Sequence, residues 1–288
     1  MKRLVVLLLI YPFLLFGQDF KNIEGLQYVG MLEAGENEEL NPGTLEKNGN
    51  YYIMAISDTN GLGYLHRYQL SKSGDYKLKA IMEVGCTQNR AFAGQLSLTQ
   101  DNQIMVFTSS FDNSWDNNEL CISTYDAKDN KYEKVRLLGE INDVQKAEAY
   151  PYLSADGLRL YYILNNEVYF TSRSDLKRSF GYPRNISIDK STNDINIVSC
   201  WLSLDELNLY ITGDEKVYKC SRTALNEKFS SPEIYLQGFG GFISGYSMSE
   251  KNKLVFIYYS GSLKYPKPKP NEYFDDSEVI LIYKIKKN

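Results

Sequence analysis

"AYPYLSADGLRLYYILNNEVYFTSRS", residues 149–174, alternates apolar and polar side chains in short runs, turning at Asp156-Gly157 and again at Asn165-Asn166. A period of two marks strands that bury one face, and Asp-Gly and Asn-Asn are residues that tolerate tight turns. The stretch therefore predicts antiparallel strands joined at Asp-Gly, with a second turn at Asn-Asn.

The pattern recurs along the chain. "CWLSLDELNLYITGDEKVYKCSRT" (200–223) copies it with a turn at Asp205-Glu206, and "QLSLTQDNQIMVFTSS" (95–110) with "ELCISTYD" (119–126) turns at Asp101-Asn102. "YSMSEKNKLVFIYYS" (246–260) goes with "EVILIYKI" (278–285), and "GTLEKNGNYYIMAIS" (43–57) with "YLHRYQLS" (64–71), turning at Asn48-Gly49. Aligned on these turns, Leu45, Leu98, Leu153, Leu202 and Met248 form an apolar column that recurs every 46–55 residues. The next column, Glu46, Thr99, Ser154, Ser203 and Ser249, is polar throughout. Neighbouring apolar and polar columns are what a strand with alternating faces produces.

The first four units each continue into one more strand-like segment: "YKLKAIMEV", "YEKVRLLGEI", "YPRNISI" and "PEIYLQGF". Units of four strands at a period near 50, none able to bury its faces alone, are the sequence signature of an all-β propeller. The fifth unit ends after its third strand, while "EGLQYVGMLE" (24–33) precedes the first unit and belongs to no other. The sequence thus predicts five four-stranded blades, closed by the N-terminal strand completing the last blade, which removes an open edge.

Tyr150, Pro151, Ser154, Asp156, Gly157, Tyr161, Tyr162 and Arg173 resemble the TolB-type, WD-like propeller repeat. The fourth unit keeps Ser203, Asp205, Tyr210 and Arg222 but carries Glu206 where that repeat has glycine. The resemblance is specific in one blade and covers the rest by repetition. It implies a binding or assembly module of the cell envelope, with no shared catalytic residue to carry over.

Residues 1–17 read as a signal peptide, with Lys2 and Arg3 ahead of an apolar run from Leu4 to Phe16. Residues 18–288 are then one propeller domain, exported to the periplasm or the exterior, with no transmembrane segment. The 32 Lys and Arg residues, two of them in the leader, stand against 36 Asp and Glu, which argues against a nucleic-acid partner. The 24 Tyr and 13 Phe residues suit strands. Cys86, Cys121, Cys200 and Cys220 form no C-x-x-C pair, and Cys200 and Cys220, on the first and third strands of one blade, are expected to be too far apart to bond. With His66 the single histidine, an ordinary zinc site has almost no ligands, so neither a metal nor a cofactor is expected.

In a propeller the first strand of each blade lines the channel, and the segment leading into it shares a face with the loop between strands two and three. Those loops are short in the third blade (Asn165-Asn166) and fourth (Gly213-Asp214), and long at 57–63, 109–118 and 260–277, in blades one, two and five. These three blades are consecutive around a closed ring. Arg90 with Phe111, Trp115, Tyr265, Tyr273 and Phe274 are the binding candidates for a protein or carbohydrate partner. Gln95, Glu148, Tyr150 and Trp201 are candidates at the channel mouth. A glycosidase on this scaffold needs two facing carboxylates, for which Glu39, Glu148 and Asp194 are the candidates. Serine hydrolysis has no G-x-S-x-G and only His66, within a predicted third strand. The main expectation is a non-enzymatic binding module, with the glycosidase as its alternative and a structural spacer as a third class.

Overall fold

A computed structural model describes residues 23–33, 38–47, 50–57, 63–70, 76–84, 91–110, 118–143, 145–186, 188, 195–239, 241–260 and 278–286. The chain starts with β1 (Leu26–Glu33). Blade one is β2 (Glu38–Lys47), β3 (Asn50–Ser57), β4 (Gly63–Leu70) and β5 (Tyr76–Glu83). Blade two is β6 (Ala91–Leu98), β7 (Ile104–Ser110), β8 (Asn118–Asp126) and β9 (Lys131–Leu137). Blade three is β10 (Ala149–Leu153), β11 (Arg159–Leu164), β12 (Glu167–Ser172) and the two-residue β13 (Arg184–Asn185). Blade four is β14 (Ser199–Leu202), β15 (Asn208–Gly213), β16 (Lys216–Ser221) and β17 (Glu233–Leu236). Blade five takes β18 (Phe242–Ser249), β19 (Leu254–Ser260) and β20 (Glu278–Ile285), and β1 pairs antiparallel with β20 from Leu26↔Ile285 to Glu33↔Val279. The fold is the five-bladed propeller read from the repeats, closed by its N-terminal strand. The innermost strands touch in the circle β2, β6, β10, β14, β18 and back to β2.

Alternating side chains build the seams between blades. Tyr51 and Tyr52 are neighbours on β3, yet Tyr51 stacks on Phe256 of blade five at 3.9 Å while Tyr52 joins the core shared with blade two. Ile104, Val106, Leu120 and Ile122 of blade two pack against Leu153, Leu160, Tyr162 and Leu164 of blade three. Leu98, Leu153 and Leu202, three members of the apolar column, are fully buried. Cys200 on β14 and Cys220 on β16 are separated by β15, and both are free buried thiols.

The polar column is turn chemistry. Ser154 donates to Asp156 Oδ1 at 2.6 Å, and the N–H groups of Leu158 and Arg159 donate to Asp156 Oδ1 and Ser154 Oγ at 3.0 and 2.8 Å. Thr99 with Asp101, and Ser203 with Asp205, repeat the motif. The residue after each aspartate has a positive φ: Asn102 at 59°, Gly157 at 73° and Glu206 at 59°. The strand-end arginines pin the same turns from behind, Arg173 Nε donating to Gly157 O at 2.8 Å and Arg222 Nε to Glu206 O at 3.0 Å. The turn between the second and third strands of blade four is Asp214-Glu215, one residue later than read from the sequence. Both residues have positive φ, as do Asn165 and Asn166 in blade three.

Candidate functional site

Antiparallel alternation puts the segments that lead into the inner strands on one face with the β3–β4, β7–β8, β11–β12, β15–β16 and β19–β20 connections. The inner strands are irregular near that face. Register shifts interrupt β2 between Asn41 and Leu45, β6 between Phe92 and Leu96, β10 between Ala149 and Tyr152, and β18 between Ile243 and Gly245. Such bulges re-aim side chains, and they concentrate beside functional sites. In β10 the bulge holds Tyr150 at φ 50°, a conformation an aromatic residue adopts only under constraint. The constraint is Gln95, whose Oε1 accepts from Tyr150 N–H at 2.8 Å, while Ser97 Oγ accepts from Leu153 N–H at 2.8 Å. Side chains of blade two therefore tie down the inner strand of blade three.

The four channel-mouth candidates fall into two groups. Gln95, Tyr150 and Trp201 line an axial cavity of about 30 Å³ together with Ser199, Tyr246 and Tyr258, room for only about one or two waters. Trp201 is 5% exposed, and its ring meets Tyr152, Tyr210 and Tyr246 edge-on or tilted at 5.4–6.2 Å between ring centres, so it lies among the blades rather than at the opening. Gln95 is a buried clamp. Glu148 is different. It precedes β10, its N–H donates to Asn118 O at 3.0 Å, and its side chain is fully buried at the seam of blades two and three.

Glu148 Oε1 accepts from Asp143 N–H at 3.1 Å, while Oε2 has no partner. Burial pushes its pKa up to about 7, with Asp143 and Glu119 adding like charge and the donated N–H groups opposing the rise. Three more buried polar atoms at this seam have no partner among the described residues: Asn118 Oδ1, Ser110 Oγ on the cross-strand neighbour of Asn118, and Tyr162 Oη, which feels the Glu148 charge. Ser110 and Asn118 are cross-strand neighbours that bound the segment 111–117, which contains Phe111 and Trp115.

Of the remaining candidates, Glu39 lies on β2 opposite Ile56. Arg90, Phe111, Trp115, Asp194, Tyr265, Tyr273 and Phe274 lie outside the described residues. Sequence reasoning missed Ser110, Asn118 and Tyr162, although Ser110 and Asn118 flank a long loop that it had singled out. His66 lies on β4 and is buried. Carboxylate oxygens of Asp126, Asp129 and Glu133 lie within 4.8 Å of one another on the β8–β9 hairpin, but Lys131 Nζ sits 3.6 Å from Asp129 and 3.5 Å from Glu133. That cation already balances much of their charge.

No protein-family model matches the sequence, and no curated protein matches it. Solved structures do resemble the fold. The β-xylosidase RS223 superposes with a TM-score of 0.57 at 10% identity, covering 87% of this chain and 94% of its own. A luciferin-regenerating enzyme gives a TM-score of 0.52 at 10% identity, covering 88% of this chain and 95% of its own. At such identity the likeness shows the propeller fold alone.

Proposed function

We propose that this propeller acts on a carbohydrate, with Glu148 as the proton-donating carboxyl. The observation that carries the reading is the state of Glu148: buried, unpartnered at Oε2 and with a pKa pushed up to about 7. Glycoside cleavage needs an acid that keeps its proton near neutral pH and delivers it to the leaving oxygen. A second carboxylate serves as nucleophile or base, for which Glu39 and Asp194 are the candidates. The β-xylosidase that shares the fold supports a sugar as the substrate class. The basic start and apolar run of residues 1–16 are the sequence feature behind the expectation of export, and the Ser-x-Asp turns with their strand-end arginines support kinship with the TolB-type repeat.

The test is hydrolysis of unactivated glycans, xylo-oligosaccharides first, because activated aryl glycosides lose their leaving group without acid help. Glu148→Gln is expected to lower kcat at least about 100-fold on these substrates, the size of a general-acid contribution. Turnover unchanged in that variant, or no glycan cleaved at all, overturns the reading. In the latter case capture of an intact partner, lost on replacing Trp115 and Phe111 by alanine, establishes the rim-binding module instead.

A further inference from the structure

The seam of blades two and three changes character along its height. On β7 the residues facing blade three run Ile104, Val106, Thr108, Ser110, and on β8 they run Ile122, Leu120, Asn118, by the period of two. Tyr162 faces back from β11 between Leu160 and Leu164. The apolar seam therefore ends in a polar cap made by Ser110, Asn118, Tyr162 and, from the segment before β10, Glu148. All four residues are at most 3% exposed, and each has a polar atom without a protein partner.

Leaving four such atoms dry costs several kcal/mol, so the cap needs an occupant. The atoms themselves indicate its chemistry. Asn118 Oδ1 only accepts, an ionised Glu148 Oε2 only accepts, Tyr162 Oη donates, and Ser110 Oγ can donate. One molecule that gives two hydrogen bonds and receives two satisfies the set, and water does so. A metal ion would leave both hydroxyl protons unused.

We propose that Ser110, Asn118, Tyr162 and Glu148 hold one buried water, and that Tyr162 is a positioning residue acting through this water on the Glu148 carboxyl. The water donates to Glu148 Oε2 and so favours the ionised form; the orientation that permits this is fixed by the hydroxyls of Tyr162 and Ser110, which donate to the water oxygen. Among the described residues, the other titratable groups that act on Glu148 are Asp143 and Lys146 on the β9–β10 connection, and Glu119 on β8; Tyr169 on β12 stacks on Tyr162. Asp143 and Lys146 are paired at 2.7 Å. The arrangement rests on the carbohydrate reading and deepens it: the water sets how firmly Glu148 holds the proton that it donates.

The experiment follows the Glu148 carboxyl carbon by NMR through a pH titration of the full chain, assigned with Glu148→Gln. Tyr162→Phe and Ser110→Ala each remove one donor to the water, and each is expected to raise the midpoint by about half to one pH unit. Identical midpoints in wild type and both variants overturn the proposal. Ser110→Ala carries the measurement if Tyr162→Phe does not fold. The titration needs no turnover, so raised midpoints without glycan hydrolysis sink the catalytic reading alone, and hydrolysis with unmoved midpoints sinks the water alone.

Discussion

Two glutamates sit at neighbouring seams of the ring, and they are held in opposite ways. Glu206, between blades three and four, is 3% exposed and saturated: Arg159 Nε reaches both its oxygens at 2.9 Å, Arg159 Nη2 lies 2.8 Å from Oε1, and Tyr161 Oη donates to Oε2 at 2.9 Å. Arg222 closes the network by donating to Tyr161 Oη at 3.0 Å. Glu148, between blades two and three, is just as buried, but among the described residues Oε1 accepts from the N–H of Asp143 and Oε2 has no partner. A carboxylate whose oxygens are both taken up by an arginine and a tyrosine is held in place and serves the fold. One left with an open oxygen and a raised pKa can change its charge near neutral pH, which is what proton transfer requires.

The largest expected effect breaks the saturated side. Glu206→Ala takes away the buried partner of Arg159, leaving it Asp156 at 3.0 Å, and leaves the Tyr161 hydroxyl without its acceptor, and chemical denaturation is expected to show a loss of about 3 kcal/mol. A loss under about 1 kcal/mol would mean that the pair is no more than a surface salt bridge.

The open side is sharpened by pH. Glu148 has a folded pKa near 7 against an ordinary value of 4.5, so the folded state holds its proton where the unfolded chain has released it. Its stabilising contribution is complete below about pH 4.5 and is lost as pH rises through 7, about 3 kcal/mol in all. The melting temperature of the wild type is expected to fall across that window more steeply than that of Glu148→Gln. Parallel curves would show that the carboxyl is ionised throughout.

Smaller effects come from the turns. A Cβ on Gly157 would stand 2.9 Å from Thr99 Cγ2 and 3.0 Å from Leu176 Cδ2, at φ 73°. Gly157→Ala is therefore expected to cost about 1–2 kcal/mol in thermal unfolding. At the equivalent position in blade four, Glu206→Gly loses the ion pair but relieves the positive φ. It is expected to unfold about 1 kcal/mol less easily than Glu206→Ala, and equal stability of the two variants would show that this turn stores no strain.

The architecture was legible because it is written locally. Blades two to four announce themselves through a Ser/Thr-x-Asp turn and all five through an apolar column, and the unmatched segment at 24–33 announced the closure. Gly157 and Glu206 were both read correctly as turn residues, Glu206 also as a departure from the repeat's glycine. That departure carried a signal. A non-glycine residue kept at positive φ needs a compensating contact, and here it is Arg159, 47 residues earlier. Trp201 was read as a channel-mouth candidate from its place on a first strand; it lines the axial cavity, and its ring packs among Tyr152, Tyr210 and Tyr246.

The sequence by itself determined the strands, their four-fold grouping, the count of five blades and the strand that closes them, because period-two alternation and turn residues act over a few neighbouring positions. Tertiary structure alone decided which carboxylates are charged, paired or left open. Those outcomes depend on residues 30 to 55 positions apart meeting across a seam, Gln95 with Tyr150, Arg159 with Glu206, and Asn118 with Glu148. Burial and hydrogen bonding, which set a side chain's proton affinity, exist only once the blades have packed.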